Sequence, residues 1–547
     1  MRFLVFTTDL PPLPGLPTSG TALRTHGLAQ GLRAHGHEVE VSVPRAAIDG
    51  LRRPGSPPLE SAEAVAQVDR LTGTAFDFRN QADLVHALAP DVVLCGHWPA
   101  ATFESRPSQP LVIDLAGAHL LERHYQGTPG HAAGVLGKLR AVSHADYFVV
   151  SGSRQRRYFM SFLLRAGVEE PERRTVSIPM PLCPDQPPRR PAPPEEYPRI
   201  VFGGVFLPWQ DPTDALERTA AALAAKGRGT LEVIGGPHPH YSIDGGVYAA
   251  LFSKLARLPF VRARPLLSFD EFVGELLSSD VALDLMRWNL ERELAVTIRS
   301  TTYLWAGVPV IYNDYSDLGD LIRAYDAGWT IDPSDGPALA RVLDAVFEEP
   351  ALVGGKGENA RRLARDVFAW DRAVLPLLEA LGGARRKPRL EVDVAVVFPE
   401  NASLSVLAGR GVEQYFVSRI DGLARVEVCL ATHRRTRIEG VTLSLYRLAA
   451  PHPAEPGAPR TLVARRELPG SAIQDNGWQS VEAEPIRDSA GHSFVLAIES
   501  PASRKEESVS PWAFGAEPFP LRGLYHGGRL VPRSALCFRT SSLPGPC

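Results

Sequence analysis

The chain has 547 residues, 44% of them hydrophobic and 22% charged, with a formal net charge of −3. That length exceeds a single hydrophobic core and predicts about two to four domains. The near-neutral balance gives no global electrostatic reason to bind nucleic acid or an anionic membrane. Only six of the 59 basic residues are lysine, and the arginines are interleaved with acids rather than gathered in a run.

The five cysteines (Cys95, Cys183, Cys429, Cys537 and Cys547) show no CxxC pair and no zinc-binding spacing. An odd, dispersed set predicts reduced thiols in a cytoplasmic protein. No apolar run approaches the ~18 residues of a spanning helix. Thr7, Thr8 and Asp9 interrupt the first apolar run too early for a signal peptide. Peripheral contact with the inner membrane surface stays open.

Residues 2–8 are mostly apolar, as in a parallel strand buried on both faces. After a Pro-rich loop, Ser19 is the predicted N-cap of a helix to about His35, with Leu28 and Leu32 one turn apart. Gly36 ends it, and residues 37–44 form the next strand. Further strands are expected over residues 91–97, 111–117 and 146–152, with helical segments between them. Such β-α alternation predicts a doubly wound parallel sheet over residues 1–182.

Residues 183–198 contain seven prolines in sixteen positions, a stiff connector and a domain boundary. The pattern then restarts over 199–381, with strands at 199–204, 231–236, 261–265 and 281–286. Ser268 and Glu271 have capping-box spacing before the helix at 268–277. Residues 291–311 read as a helix, a turn at Gly307, and a buried strand opened by Pro309. Two Rossmann-like halves imply a cleft at the carboxyl ends of their strands. After residues 382–388, periodicity changes to two. Val426, Val428 and Leu430 share one face, as do Val441, Leu443 and Leu445, and Phe494, Leu496 and Ile498. Residues 389–547 therefore read as an all-β sandwich.

The segment Leu-Trp-Ala-Gly-Val-Pro-Val ending at Val310 resembles the donor-binding segment of glycosyltransferase family 4. So does the opening PPLPG, then SGTALRTHGLAQGLRAHGHEVEV. The resemblance covers roughly residues 1–380. It implies a two-Rossmann (GT-B) bacterial enzyme that moves a sugar from a nucleotide-sugar to a glycan or lipid-linked acceptor, with retention, in surface-polysaccharide assembly. The β-sandwich resembles accessory carbohydrate-binding modules of such enzymes. A sugar-nucleotide epimerase of the same fold, and a glycan-binding protein with a decayed core, are the competing readings.

Site residues follow from the same resemblance. Gly20 and Thr21, where a loop feeds a helix N-terminus, fall on the acceptor or sugar side. Asp114 and Glu122 in DLAGAHLLE offer carboxylates to sugar hydroxyls. His119 in that segment has the wrong spacing for the family's histidine and reads as structural. The turn beginning at Ser151 carries Arg154, Arg156 and Arg157, which read as the solvated first turn of a helix, with phosphate contact the alternative. Gly203 and Gly204 let backbone approach a donor diphosphate. Gln210 stands where related enzymes carry a basic residue, which shifts leaving-group stabilisation to Arg299, with Arg292 in reserve. The family's second glutamate position falls on Thr302, and Glu293 lies one residue from the first. Thr302 and Gly307 complete the donor-side set, and Glu293 joins the two arginines. Trp478, Trp512 and Tyr525 are candidate stacking platforms for sugar rings. The chain lacks GxGxxG, GxxxxGK[ST], HExxH and GxSxG patterns, which removes the main support for other common chemistries, and the resemblance implies no required metal and no cofactor, the nucleotide-sugar being the donor substrate.

Overall fold

Two six-stranded parallel sheets organise the first compact unit, Met1–Arg385. The computed structural model describes every residue except 54–58, 60, 78, 104–105, 128–130, 191–193, 238–247, 383–390, 397–401, 450–457, 515–520, 533 and 544–547. The predicted linker at 382–388 falls almost wholly outside the described residues. Among the described residues, no helix is long and apolar enough to cross a membrane.

The first sheet contains β1 (Arg2–Phe6), β2 (Glu38–Ser42), β3 (Val92–Cys95), β4 (Leu111–Asp114), β5 (Tyr147–Val150) and β6 (Thr175–Ser177), in the order β2-β1-β3-β4-β5-β6. The four inner strands β1, β3, β4 and β5 carry near-continuous apolar runs because helices cover both faces, whereas the edge strand β2 alternates Glu and Val. Leu4 and Phe6 face one core, while Phe3 and Val5 face the other with Leu28 and Leu32. Ser19 caps the Gly20–Ala34 helix by accepting from the Ala22 N–H.

The second sheet contains β7 (Arg199–Val205), β8 (Thr230–Gly236), β9 (Val261–Arg264), β10 (Val281–Asp284), β11 (Val310–Asn313) and β12 (Gly328–Ile331), in the order β12-β11-β10-β7-β8-β9. Its strand order reverses between β7 and β10, the position where open α/β sheets form a ligand crevice. The capping box of Ser268 and Glu271 forms as expected. The chain ends this unit back on the first half. Ala373, Val374, Leu377 and Leu381 pack in the cluster that contains Phe3, Val5 and Leu28. Helical turns from residue 370 onward therefore tie the last part of the unit to the first sheet.

The second compact unit, Arg386–Cys547, is all β. Among its described residues, two sheets have seven and six strands, and every pairing in them is antiparallel. Val426, Val428, Leu430, Leu443, Leu445, Phe494, Leu496 and Ile498 meet in one core between the sheets. The period-two pattern is what buries one side of each strand. This unit is a β-sandwich.

Candidate active site

The helix expected over residues 291–306 is two helices, Leu290–Leu294 and Ile298–Trp305. Ala295 and Thr297 between them are extended. Val296 packs into the core, and Thr297 Oγ1 shares a 2.7 Å hydrogen bond with Tyr312 Oη on β11. Both anchors draw the chain out of helical geometry, so a new N-terminus begins at Ile298. Thr297 makes no side-chain cap, because its hydroxyl is used on Tyr312. The first-turn amides therefore keep their positive end of the helix dipole.

Arg299 lies in that first turn, at the switch point between β7 and β10. Its guanidinium donates to Gln210 Oε1, sits 5.2 Å from the Phe202 ring centre and lies 3.8 Å from Asp284 Oδ1. Arg299 Nη1 is buried without a hydrogen-bond partner among the described residues. Gly204 has φ +137°, which favours glycine, and a Cβ there would stand 3.2 Å from Arg299 Cζ. The position expected to be weakened by Gln210 is thus reached by Arg299 from a different element.

Several other expected donor groups have different tasks. Gly203 is buried: the Tyr303 hydroxyl accepts from its N–H at 2.8 Å and donates to its carbonyl at 3.0 Å. A side chain at Gly203 would strike Phe272, so its smallness serves packing rather than a phosphate. Thr302 is 3% exposed and its hydroxyl donates to Ile298 O at 2.9 Å, inside its own helix. Gly307, at φ +75°, ends that helix. Its N–H donates to Leu304 O and the Val308 N–H to Tyr303 O, a Schellman-type turn that rests against Arg361. Arg292 is locked to Glu291 by two hydrogen bonds of 2.7 and 2.9 Å, both side chains being buried, which removes it from reserve duty. Glu293 accepts from Trp288 Nε1 at 3.1 Å beside an indole that is 55% exposed.

On the first half, Gly20 meets the second half directly: a Cβ there would lie 2.7 Å from Ile298 Cδ1. Thr21 is half-buried and its carbonyl accepts from Thr25 Oγ1. Asp114 is fully buried and takes two hydrogen bonds from Arg24, at 2.6 and 3.1 Å. Arg24 also donates to the Ile178 and Pro179 carbonyls. Asp114 therefore joins the first helix to the sheet, and its carboxylate is not free for a sugar. Arg24, Leu28 and Leu32 stand at four-residue spacing on one buried helix face, which marks Arg24 as buried without naming its partner.

Glu122 remains at the cleft, 3.5 Å from His119 Nδ1 and 21% exposed. It lies close enough to Glu291 of the other half for the charges to interact. Burial is the main cause that raises the Glu291 carboxyl, opposed by Arg292 and reinforced by Glu122. His97 and His119 are 5.6 Å apart between ring centres, and Trp98 is 5.7 Å from His119. Burial holds His97 well below the usual histidine range, with His119, Lys138 and Arg24 adding to the shift. Lys138 is fully buried, its ammonium 4.2 Å from the Phe159 ring centre and without a hydrogen-bond partner among the described residues. Neither His97 nor Lys138 was marked by any motif. Among the described residues, no group of three or more His, Cys, Asp or Glu side chains could hold a metal.

On the sandwich, Trp478 is paired with Cys429 on one side, while on the other the Cys429 N–H donates to Cys537 O and the Cys537 N–H donates to Trp512 O, one strand further out. Arg539 covers Trp478 at 4.8 Å, and Trp512 Nε1 donates to Asn476 Oδ1 at 2.7 Å. Tyr525 belongs to the opposite sheet, edge-on to Tyr415 at 5.3 Å. It does not join the two tryptophans.

The first unit is similar in fold to solved glycosyltransferase structures of the two-Rossmann type. Sucrose-phosphate synthase from Thermosynechococcus elongatus aligns at 14% identity with a TM-score of 0.50, over 69% of this chain and 97% of that one. Anabaena HepE, solved with UDP and glucose, aligns at 14% identity and a TM-score of 0.46, over 70% of this chain and all of that one. WaaG, a glycosyltransferase involved in lipopolysaccharide biosynthesis, aligns at 15% identity and a TM-score of 0.43, with the same coverage. No known family profile and no curated protein sequence matches the chain.

The buried ammonium of Lys138 has a measurable consequence. Burial pushes its pKa down to about 7, with Glu122 opposing the shift. Between that value and the ordinary lysine range, the unfolded chain binds more protons than the folded one, so stability rises with pH across the window. A Lys138→Met variant removes this contribution. Urea midpoints measured at pH 7 and pH 9.5 should show wild type gaining stability relative to Lys138→Met as pH rises, with the variant the more stable of the two at pH 7.

Proposed function

We propose that the chain is a retaining glycosyltransferase that uses a nucleotide-sugar and acts in surface-polysaccharide or glycolipid assembly. The observation that carries the reading is Arg299. It is a nearly buried cation whose Nη1 makes no hydrogen bond among the described residues and lies at ion-pair distance from Asp284, seated over Gly204 at an uncapped helix N-terminus where strand order reverses between β7 and β10. This arrangement suits a donor diphosphate, which needs N–H donors and positive charge on its departing oxygens. The fold likeness supports the reading, because such folds place their ligand in this crevice. Gly20 faces the donor helix from the first half with Thr21 next to it in the chain, and Glu122, whose charge is felt by Glu291, is proposed as the carboxylate offered to an acceptor or sugar hydroxyl.

In the proposed reaction, the acceptor hydroxyl oxygen attacks the sugar's anomeric carbon while the bond from that carbon to the phosphate oxygen breaks. The acceptor proton passes to the departing phosphate, so both steps occur on one face of the sugar. Arg299 offsets the charge that develops on that phosphate. Purified protein and a panel of nucleotide-sugars test the activity: released nucleotide with sugar transferred to an acceptor is the expected result. An isomerised sugar without nucleotide release would assign the epimerase reading instead. NMR of the first-formed product should show the anomeric configuration retained, and inversion would exclude the front-face reaction.

Arg299→Ala should lower turnover by about a hundredfold or more, the ~2.7–4 kcal/mol typical of one lost charge-stabilising donor. A basic residue introduced by Gln210→Lys in that background should recover part of the rate. Unchanged turnover in a folded Arg299→Ala protein would take the residue out of the mechanism.

The sandwich is proposed as a glycan-binding unit through Trp478 and Trp512, which stand on two strands that both pair with residues 423–431. Aromatic faces suit the apolar C–H surfaces of sugar rings. In the full chain, Trp478→Ala and Trp512→Ala should each raise the apparent Michaelis constant for a polymeric acceptor and leave donor hydrolysis unchanged. Acceptor kinetics equal to wild type in both variants would reduce this unit to a structural role.

A further inference from the structure

The Ser153–Arg165 helix in the first half begins after β5 with Gly152 at its N-cap, a residue with no side chain to satisfy the first amides. The missing cap comes from the other half. Asp317 is the first residue of the Asp317–Tyr325 helix after β11. Its Oδ2 accepts from the Arg154 N–H at 2.9 Å, and its Oδ1 accepts from Ser153 Oγ at 2.8 Å and from Arg154 Nη1 at 2.9 Å. Arg154 Nη1 also donates to Asp320 Oδ2 at 2.9 Å. A Cβ at Gly152 would strike the Asp317 carboxylate, so the glycine is what admits it. One carboxylate thus meets the positive ends of two helices, one from each sheet, across more than 160 residues of chain.

We infer that Asp317 is a positioning residue that latches the two halves together, setting the gap across which the first half meets the donor helix. The contact is polar and partly open to water, Asp317 being 18% exposed and Arg154 23%. All its groups can be satisfied by water once separated, so it parts at small cost compared with an apolar interface. Gly20 against Ile298 lies on the same cleft, so closure by Asp317 brings the first-half loop to the helix that carries Arg299. The motif around Ser151, read from sequence as a solvated helix start or a phosphate contact, holds the protein's own carboxylate instead.

The kinetic part of this inference rests on the proposed glycosyl transfer, whereas the geometric part does not. The test uses the full chain with nitroxide labels at Leu164→Cys and Arg341→Cys, both well exposed, in a background where Cys183 and Cys547 are serine. In Asp317→Ala the label-to-label distance distribution should lengthen and broaden. The nucleotide-sugar KM should rise roughly tenfold, the scale of a lost charge-assisted cap, with kcat changed far less. Asp317→Glu should recover most of the closed population, and Asp320→Asn, which removes only the outer contact, should shift it less. An unchanged distribution in folded Asp317→Ala, or an equal shift in Asp320→Asn, would overturn the latch. Failure of wild type to bind or turn over nucleotide-sugars would remove the glycosyltransferase reading and leave the distance measurement decisive for the latch.

Discussion

The hydrogen bond between Thr297 and Tyr312 decides what the cleft can be. Had residues 290–305 run as one helix, Arg299 would stand in mid-helix, far from any free amides. Holding Thr297 against β11 starts the helix again at Ile298, and the restarted N-terminus opens at the point where strand order reverses. The crevice, the uncapped amides and the cation are brought together by that single interruption. Val296 reinforces it by burying an apolar β-branched side chain where a helical path would expose it.

The buried charges of this unit fall into two kinds. Arg24 with Asp114, and Arg292 with Glu291, are closed pairs in which each carboxylate accepts two hydrogen bonds from its partner. Removing one member of such a pair typically costs ~3–5 kcal/mol, because the other is left charged in a dry site. These pairs are consequently fixed architecture. Arg299 is different: a neutral amide accepts its one hydrogen bond, and its nearest carboxylate oxygen is 3.8 Å away. A cation so sparsely neutralised retains the capacity to attract an anion. The contrast is why the leaving-group role is proposed for Arg299 and not for Arg24 or Arg292.

The β-sandwich illustrates how far an outward face can be read. Alternation along its strands is strict enough to separate core from surface, and the tryptophans fall on the surface side. Their neighbours then divide them from Tyr525. Trp478 and Trp512 lie on strands that both pair with residues 423–431, whereas Tyr525 packs beside Tyr415 on the opposite sheet.

Local pattern alone determined the two-sheet α/β core, the period-two sandwich, the caps at Ser19 and Ser268, and the turn at Gly307. Each depends on side-chain spacing or backbone chemistry within a few residues. The proposal for Arg299 also began in the sequence, where Gln210 leaves its position without a cation nearby. What only the tertiary structure decided was which polar groups are already in use. Asp114 reads as an available carboxylate until Arg24, 90 residues away, is seen to hold it. Thr302 reads as a ligand until its hydroxyl is seen to close on its own helix. The Ser151 turn reads as solvated until Asp317 is found in it. Hydrogen-bond partners across a chain are set by how sheets stack and halves meet, and no local spacing encodes that geometry.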